Sequence, residues 1–453
     1  MYRVTAPAHL YARLRGRGLG GPVLMAGGLA TVGVASYAFL AVAGHTLSAA
    51  DYAAISALYL LINIAGPGYF GGLEQETNRA TSRALAVGGS TRLVSRTAGT
   101  LGMIMAGFAV AGLLAVSPVM VGQVFHGRWA LQVALIVGMA TACGAYLVRG
   151  LLGGRRLFRG YAATLTAEGL TRIGLVGLLA ELGLRSAGAY AFVFAAGLAC
   201  AGLVGLPWLR SQRPDLTPHG RTERARTFSQ LGPGLALLVT AMLLTQLMAN
   251  LAPVVVTART AFDLPTAAAF TSAFVLVRVP LFLFSPVQAV LLPNLTRAVA
   301  AGDHARFRRS LRLVLIAVLV VGAAGALLSA TIGPALVQVL FGARVRLPGL
   351  VLGLLAVSTV LLMVAQVLQP ALIAAQRHRV VTAGWVFGSV ALIGLLFLPV
   401  PAITAAVLAQ LAGSALVMLV LMTGIGYLLW GHLPERVSEY TPSHRGKAIT
   451  LRP

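Results

Sequence analysis

Residues 82–92 read Ser-Arg-Ala-Leu-Ala-Val-Gly-Gly-Ser-Thr-Arg, and residues 296–306 read Thr-Arg-Ala-Val-Ala-Ala-Gly-Asp-His-Ala-Arg. The two stretches share the pattern Ser/Thr-Arg-Ala-Leu/Val-Ala-x-Gly-x-x-x-Arg at an offset of 214. At an offset of 216 there is a second echo, in which four residues match four others: Pro118, Val121, Phe125 and Arg128 match Pro334, Val337, Phe341 and Arg344. Because both echoes border apolar segments, they predict an internal duplication. Two similar membrane halves around a cleft are a common plan for transporters.

Apolar segments long enough to span hydrocarbon recur along the whole chain. Hydrophobic residues make up 58% of the 453 residues and charged residues only 10%, whereas soluble domains carry about 25% charged residues. Segments that face lipid must satisfy their own backbone hydrogen bonds, so they are expected to be helices. We predict an all-α membrane protein with twelve transmembrane helices in two six-helix lobes related by the repeat. The predicted spans are 22–44, 52–73, 97–117, 129–148, 162–180, 187–207, 231–256, 267–293, 312–333, 348–375, 380–398 and 402–429.

The distribution of basic residues predicts the topology of the chain. With the amino terminus in the cytoplasm, the inner segments hold 28 of the 35 Lys and Arg residues. This positive-inside pattern explains the net charge of +24 without nucleic acid and puts both termini in the cytoplasm. The predicted parts are an N-terminal lobe (1–209), a cytoplasmic linker (210–230), a C-terminal lobe (231–431) and a cytoplasmic tail (432–453). Cys143 and Cys200 lie within spans without metal or disulfide spacing, so we expect no metal and no cofactor.

Two spans contain residues that disturb a helix. Gly66-Pro67-Gly68 lies deep in the second span, and Arg278-Val279-Pro280 lies at a comparable depth in the eighth. Proline and glycine free backbone groups and permit bending, so each is either a hinge or a static kink. At the start of the second span, Ser48-x-x-Asp51 has the pattern of a capping box. The alternative for Asp51 is a catalytic acid in an outer loop.

Polar and ionisable residues inside the predicted spans are the candidates for substrate binding. A charged residue at the centre of a bilayer costs roughly 2.5–3.5 kcal/mol on insertion scales, so it usually faces a cavity or a partner. Arg278 suits an anionic substrate group; the alternatives are a distant acid or snorkelling to the interface. Glu168 and Arg172 are spaced i, i+4, so they either neutralise each other or line the cleft. Gln246 and Asn250, also i, i+4, are predicted to bind sugar hydroxyls or a neighbouring helix.

A second group of polar residues lies at the cytoplasmic ends of the spans. It supplies candidates for a gate or a headgroup site, or else ordinary solvated helix ends: Glu74, Glu76, Arg79, Arg83 and Arg297. The arginines of the repeated loop have two interpretations. They either set the topology and contact anionic lipid headgroups, or they capture a pyrophosphate-bearing lipid through their guanidinium groups.

In these features the chain resembles the multidrug/oligosaccharidyl-lipid/polysaccharide (MOP) exporter superfamily. Within that superfamily it resembles the polysaccharide biosynthesis, or O-antigen-type, flippases. The resemblance rests on the twelve predicted spans, the repeat, Leu47-Ser48-Ala49-Ala50-Asp51-Tyr52, and Gly333-Pro334 through Phe341-Gly342. It implies a bacterial inner-membrane protein that translocates a polyprenyl-pyrophosphate-linked oligosaccharide by alternating access for surface polysaccharide synthesis. The implied partners are the lipid-linked glycan, membrane lipids, and a polysaccharide polymerase or glycosyltransferases.

Other functions compete with this flippase. A cation-coupled multidrug or small-molecule exporter of the same fold is the first alternative, although drug-exporting relatives use an acid in the first span and residues 22–44 contain none. A membrane enzyme acting on lipid-linked sugars is the second; the short outer loops offer only scattered acids, so we expect a protein that is not an enzyme. A membrane scaffold that does not transport is the third. No P-loop motif is present, which argues against direct ATP drive.

Overall fold

The computed structural model describes residues 20–86, 90–210, 221–281, 295, 303–375 and 377–430. Within these residues twelve helices are long and apolar enough to cross a membrane, as predicted. We number them span 1 to span 12: Gly20–Thr46, Ala49–Ala86, Thr91–Ala115, Trp129–Gly154, Phe158–Glu181, Ala187–Arg210, Arg221–Arg259, Leu264–Leu281, His304–Thr331, Gly349–Ala374, His378–Leu396 and Ala402–Trp430. Spans 11 and 12 separate around Pro399-Val-Pro401, as predicted.

The helix packing repeats between the two halves of the chain. Span 5 packs against spans 1 and 6, and span 11 packs in the same way against spans 7 and 12. Span 4 packs on span 6, and span 10 packs on span 12. Spans 1–6 and spans 7–12 therefore form two lobes with the same arrangement. Contact between the lobes involves spans 2, 7 and 8.

Both disturbed sequences interrupt their helices. In span 2 a π-helical segment, Gly66–Phe70, joins the helices Ala49–Ala65 and Gly71–Ala86. In span 8 the helix Leu264–Leu276 ends in a turn at Val277 and Arg278, after which the chain is helical again. Each break falls on the Gly/Pro or Arg/Pro sequence that predicted it. Short π-helical segments inside α-helices occur frequently at functional sites.

The second sequence echo corresponds to a repeated structure. After span 3 the chain forms the short helical segments Ser117–Val119 and Met120–Val124, and after span 9 it forms the helix Gly333–Phe341. Each begins with a proline in its first turn. In each, the matched valine and phenylalanine are buried: Val121 and Phe125, Val337 and Phe341. The first echo cannot be compared in this way, because residues 296–302 lie outside the described residues.

Truncation of either echoed phenylalanine is expected to destabilise the protein by a similar amount. Phe125 and Phe341 are both almost fully buried, so Phe125→Ala and Phe341→Ala should each lower the free energy of unfolding by about 3–5 kcal/mol. Thermal unfolding of the purified protein in one detergent measures this. Phe108, which is 72% exposed on span 3, supplies the control Phe108→Ala. A large loss for one echoed position and none for the other would argue against equivalent roles.

The two ends of the bundle differ. At one end of the bundle the odd-numbered spans finish and the even-numbered spans begin, and we call this the sealed end. We call the opposite end the basic end. At the sealed end the lobes meet through one apolar cluster that includes Phe39, Tyr52, Val275 and Phe341. Two hydrogen bonds cross between the lobes there: Tyr52 Oη to Ser272 Oγ at 2.9 Å, and Tyr37 Oη donating to the Val275 carbonyl at 3.2 Å.

The backbones of the two lobes also touch at the sealed end. A Cβ atom on Gly44 would lie 2.0 Å from the Phe341 carbonyl oxygen, and one on Gly342 would lie 2.8 Å from the Gly44 carbonyl oxygen. Gly342 also has φ +62°, a left-handed conformation that favours glycine. Neither position therefore has room for a side chain in this state.

Asp51 belongs to a helix cap. Its backbone N–H donates to Ser48 Oγ at 3.1 Å, and the Ser48 hydroxyl donates to the Asp51 carboxylate at 2.7 Å. The other carboxylate oxygen accepts from Arg128 Nε at 2.7 Å, which fixes the loop before span 4. These contacts confirm Ser48 as the N-cap of span 2, while the Asp51 carboxylate accepts from the Ser48 hydroxyl instead of the Ser48 backbone N–H of a full capping box.

The predicted linker is partly helical. Span 7 begins at Arg221, so residues 221–230 belong to the helix rather than to the linker predicted for 210–230. The physical reason is that the helix-breaking residues Pro214, Pro218 and Gly220 all precede Arg221, and no proline or glycine follows until Gly232. Residues 211–220 and the predicted tail lie outside the described residues.

Candidate functional site

A cavity of about 780 Å³ lies between the two lobes. Its walls come from spans 1, 2, 4, 5 and 6 of the first lobe and from spans 7, 8, 10 and 11 of the second. Both helix breaks contribute to it, through Gly66 and Pro67 on one side and Arg278 on the other. The cavity occupies the middle of the bundle and its basic half, since the apolar cluster fills the sealed end.

One wall of the cavity carries a buried cluster of three charged residues. Glu168 accepts hydrogen bonds from Arg172 on its own helix and from Arg149 on span 4. All three residues are buried, with exposed fractions of 4–5%. Arg149 Nε also donates to Thr164 Oγ1 at 3.2 Å, and the Arg172 guanidinium lies 5.0 Å from the centroid of the Phe194 ring. We refer to Arg149, Glu168 and Arg172 as the triad.

Arg278 lies on the opposite wall without a carboxylate partner among the described residues. Its guanidinium is 4.2 Å from the centroid of the Phe274 ring, and its Nη2 donates to Gln410 Oε1 at 3.1 Å. Gln410 is itself held by the Met248 carbonyl at 3.2 Å. No hydrogen-bond acceptor for the Nε and Nη1 atoms of Arg278 is present among the residues that the structure describes. A buried guanidinium with unmet donors is chemically suited to form hydrogen bonds with an anionic group.

The second lobe supplies neutral polar side chains to the same cavity. Asn250 Nδ2 donates to Gln246 Oε1 at 3.0 Å, so these two residues bond to each other while lining the cavity. Trp385 Nε1 donates to Gln369 Oε1 at 2.9 Å, and both of these residues also line it. This wall can therefore offer amide groups and an aromatic surface to a ligand.

The five substrate-binding candidates predicted from the sequence lie in one place. The cavity wall includes all of them: Glu168, Arg172, Gln246, Asn250 and Arg278. Their role in binding stays a prediction. Glu168 and Arg172 form the predicted pair and also line the cleft, so the two interpretations of this pair are compatible.

The gate candidates do not form one group, and none of the described ones lines the cavity. Glu76 is buried and pairs with the exposed Arg79 at 2.5 Å. Glu74 accepts a hydrogen bond from Tyr161 on span 5. Arg83 is exposed at the end of span 2, and Arg297 lies outside the described residues. A gate at these positions stays a prediction.

Two residues of the site were missed by the sequence analysis. Arg149 was assigned to an inner loop because the predicted fourth span ended at 148, whereas the helix continues to Gly154. Gln410 is a neutral residue in an otherwise apolar helix, and its amide is the group that holds Arg278. The signal for Gln410 was its isolation, since it is the only Asn, Gln or charged residue between 402 and 430.

Comparison with solved structures places this architecture among known folds. An inward-facing multidrug resistance MATE family transporter of the MOP superfamily matches with a TM-score of 0.71 at 14% identity, over 87% of this chain and 94% of that one. The chain has the MATE transporter fold. It is a multi-pass membrane protein, and the predicted superfamily fold is correct. No family model matches the chain.

Two further solved structures of this fold differ in conformation or pocket. An outward-facing MATE family transporter of the MOP superfamily gives a TM-score of 0.60 at 14% identity, over 90% of this chain and 94% of that one. A MOP superfamily transporter from Pyrococcus furiosus Vc1 (DSM3638) gives 0.58 at 14% identity, over 90% and 97%. For that protein, the reverse polarity of the binding pocket is said to suggest a different function.

A curated relative is similar in sequence over most of the chain. Uncharacterized protein Rv1510 of Mycobacterium tuberculosis (strain ATCC 25618 / H37Rv) is 29% identical over 412 residues, which cover 87% of this chain and 90% of that protein.

Proposed function

We propose that the chain is a secondary transporter that moves a small organic anion across the membrane by alternating access. The observation that carries this proposal is a single cavity between two repeated lobes, filled at one end and lined by a net positive charge. The wall includes three arginines and one glutamate, a net formal charge of +2. Charged groups in a membrane protein are retained where they serve a substrate path or a partner.

The size of the cavity favours a small substrate. A volume of about 780 Å³ falls in the range of roughly 300–1,000 Å³ that is typical of sites for drug-sized ligands. A solved structure of this fold is a multidrug resistance transporter. The alternative predicted from the sequence was a cation-coupled multidrug or small-molecule exporter. Both points support its small substrate over the lipid-linked glycan of the flippase.

The charge of the wall favours an anion over a cation. Glu168 is the only carboxylate on the described wall, and two arginines already hold it. A cationic substrate or coupling ion at Glu168 would lie beside two guanidinium groups, whose positive charges repel it. The transporter of similar fold with a pocket of reversed polarity supports a pocket whose charge differs from that of other transporters with this fold.

A lipid-linked oligosaccharide is the second candidate. Guanidinium groups match the geometry of phosphate oxygens, and the amide-rich wall with Trp385 could contact sugar hydroxyls. This substrate would place a pyrophosphate against the arginines and leave the polyprenyl chain in lipid. The same residues would then act on a larger ligand, and a lipid-linked probe distinguishes the two candidates below.

Dye transport in proteoliposomes tests the proposal. Lucifer yellow, a disulfonated anion, is expected to leave vesicles that contain the protein faster than empty vesicles, whereas the cation ethidium is not. Arg278→Gln should lower the Lucifer yellow rate by about tenfold or more, since a lost buried charge contact is worth several kcal/mol. Arg185→Gln, at an exposed residue of the sealed end, should leave the rate unchanged.

The outcomes separate the parts of the proposal. Transport of ethidium but not of Lucifer yellow would show that the protein is a transporter and that its substrate is not an anion. If neither dye crosses faster than it does in empty vesicles, and cysteine labelling also shows no exchange between two states, the transport function itself is wrong.

A further inference from the structure

The formal charge of the cavity wall can be summed from its charged residues. Among the residues that line it, the charged ones are Arg149, Arg172, Arg278 and Glu168. The neighbouring residues 282–294, whose placement the structure does not describe, contain no Asp, Glu, Lys or Arg. Among the described lining residues, the first lobe therefore contributes a net +1 through the triad, and the second lobe contributes +1 through Arg278.

The two positive contributions both lie beside span 1. Arg172 Nη1 donates to Ser36 Oγ at 3.4 Å, and the next residue, Tyr37, donates to the carbonyl of Val275, three residues before Arg278. Arg172, Tyr37, Val275 and Arg278 all line the cavity. An anion beside Tyr37 is therefore expected to contact a guanidinium from each lobe.

Both guanidinium groups have donors to spare. Within the described part of the chain, Arg278 Nε and Nη1 and Arg172 Nε are buried without an acceptor. Buried donors of this kind are uncommon and costly, because each has lost its water without gaining a partner. An anionic ligand with more than one oxygen group would satisfy them on both walls.

We infer that the substrate is a dianion, and that Glu168 is the residue that sets this number by acting as a fixed counter-anion for the triad. The inference rests on the proposed function. During alternating access the loaded cavity passes through a state closed to water at both ends, and a net charge there is strongly unfavourable. A ligand with two negative charges neutralises a wall of +2, whereas one or three charges leave a remainder.

Glu168 is suited to this role because each of its two carboxylate oxygens accepts a hydrogen bond from an arginine. One carboxylate oxygen accepts from Arg149 and the other from Arg172. It removes one positive charge from the wall without using the spare donor of Arg172. Without the carboxylate, the wall would carry +3. Loss of the negative charge at residue 168 is therefore expected to raise the number of charges on the preferred ligand, and loss of the positive charge at residue 278 is expected to lower it.

A series of probes that differ only in charge tests this inference. Benzoate, isophthalate and trimesate carry one, two and three carboxylates on the same ring, all ionised at neutral pH. Binding to the full-length purified protein in nanodiscs is measured by calorimetry. Isophthalate is expected to bind the native protein at least about tenfold more tightly than either neighbour, because one unpaired buried charge exceeds the 1.4 kcal/mol equivalent to that factor.

Substitutions should move the preferred charge by one in a stated direction. Glu168→Gln is expected to make trimesate the tightest ligand, and Arg278→Gln is expected to make benzoate the tightest. Arg278→Lys keeps the charge and should keep isophthalate as the tightest ligand, with weaker binding. Glu181→Gln and Arg185→Gln make the same charge changes at exposed residues of the sealed end and should leave the order unchanged.

The results distinguish failure of this inference from failure of the proposed function. If the order of probe affinities does not change when residue 168 or 278 is substituted, or if no probe binds, the inference of a dianionic substrate is wrong. The dye transport assay then shows separately whether an anion transporter remains. If Glu168→Gln does not fold, Arg278→Gln and Arg278→Lys still test whether the preferred ligand charge follows the charge of the wall.

One further probe identifies the source of the dianion. A farnesyl-linked pyrophosphoryl N-acetylglucosamine is a pyrophosphate diester with two negative charges, as isophthalate has two. Tighter binding of the lipid-linked probe would assign the dianion to a lipid carrier, and tighter binding of isophthalate would assign it to a soluble molecule. Because both probes carry two negative charges, this comparison identifies the source, and the order of benzoate, isophthalate and trimesate tests the charge match.

Discussion

Replacement of Gly44 with alanine is expected to separate the two lobes at the sealed end. The added Cβ would lie 2.0 Å from the Phe341 carbonyl oxygen and 2.8 Å from its carbonyl carbon, and backbone atoms cannot rotate out of the way. Overpacking of this kind costs about 1–3 kcal/mol. The ratio of open to closed states at this end should therefore rise by roughly fivefold to 150-fold.

Cysteine labelling measures this change. Cys143 and Cys200 are first replaced by alanine, and single cysteines are placed at Ala268, buried in the sealed-end cluster, and at Ala249 in the cavity. In the native background, a membrane-impermeant maleimide should label Ala249→Cys and leave Ala268→Cys unmodified. Gly44→Ala should make Ala268→Cys reactive from the opposite side of the membrane.

Gly27 provides the matched control for Gly44. It lies on the same span, and a Cβ there would meet nothing within 4 Å, so Gly27→Ala should leave the labelling pattern unchanged. Gly342→Ala affects the other half of the same contact and is strained by its φ of +62°, so it should act as Gly44→Ala does. Unchanged protection of Ala268→Cys in both variants would mean that the backbone contact does not hold this end closed.

Removal of the Glu168 carboxylate is expected to produce the largest loss of stability among the charged residues. Glu168→Ala leaves Arg149 and Arg172 without the only carboxylate that contacts them among the described residues. Breaking a buried ion pair by removing one partner costs about 3–5 kcal/mol, because the remaining charges stay buried and unpaired. The apparent melting temperature of the purified protein should fall well below that of the native chain in the same detergent.

A double-mutant cycle tests the cause of this loss. Arg149→Leu and Glu168→Leu are made singly and together, and the coupling between them is expected to be about 2 kcal/mol or more. Glu181→Ala, at the exposed end of the same helix, should change stability by no more than about 0.5 kcal/mol. A coupling near zero would show that Glu168 contributes to stability through something other than the triad.

The sequence predicted the parts of the fold that depend on local composition. Twelve spans follow from the length of apolar segments, and the breaks in spans 2 and 8 follow from Pro67 and Pro280. The second echo predicted an internal duplication, and the structure shows that each copy is a short helical segment with a proline in its first turn and a buried phenylalanine at its end. Arg278 stood out because a lone charge in an apolar helix costs free energy wherever it lies.

The parts that depend on contacts between helices could not be predicted in this way. Periodicity indicates which face of a helix is polar, but not which other helix that face meets. The pairing of Glu168 with Arg149 joins residues 19 positions apart on two helices, and the support of Arg278 by Gln410 joins residues 132 apart. An error of six residues at the end of span 4, which continues to Gly154, was enough to place Arg149 in solvent.

The closure at the sealed end contains no ion pair between the lobes among the described residues. It consists of aromatic and aliphatic side chains, two neutral hydrogen bonds and a backbone contact. Dissolved ions screen charges but hardly affect such contacts. A rise in ionic strength should therefore leave the closure of the sealed end unchanged, because no attraction between opposite charges holds the lobes together there.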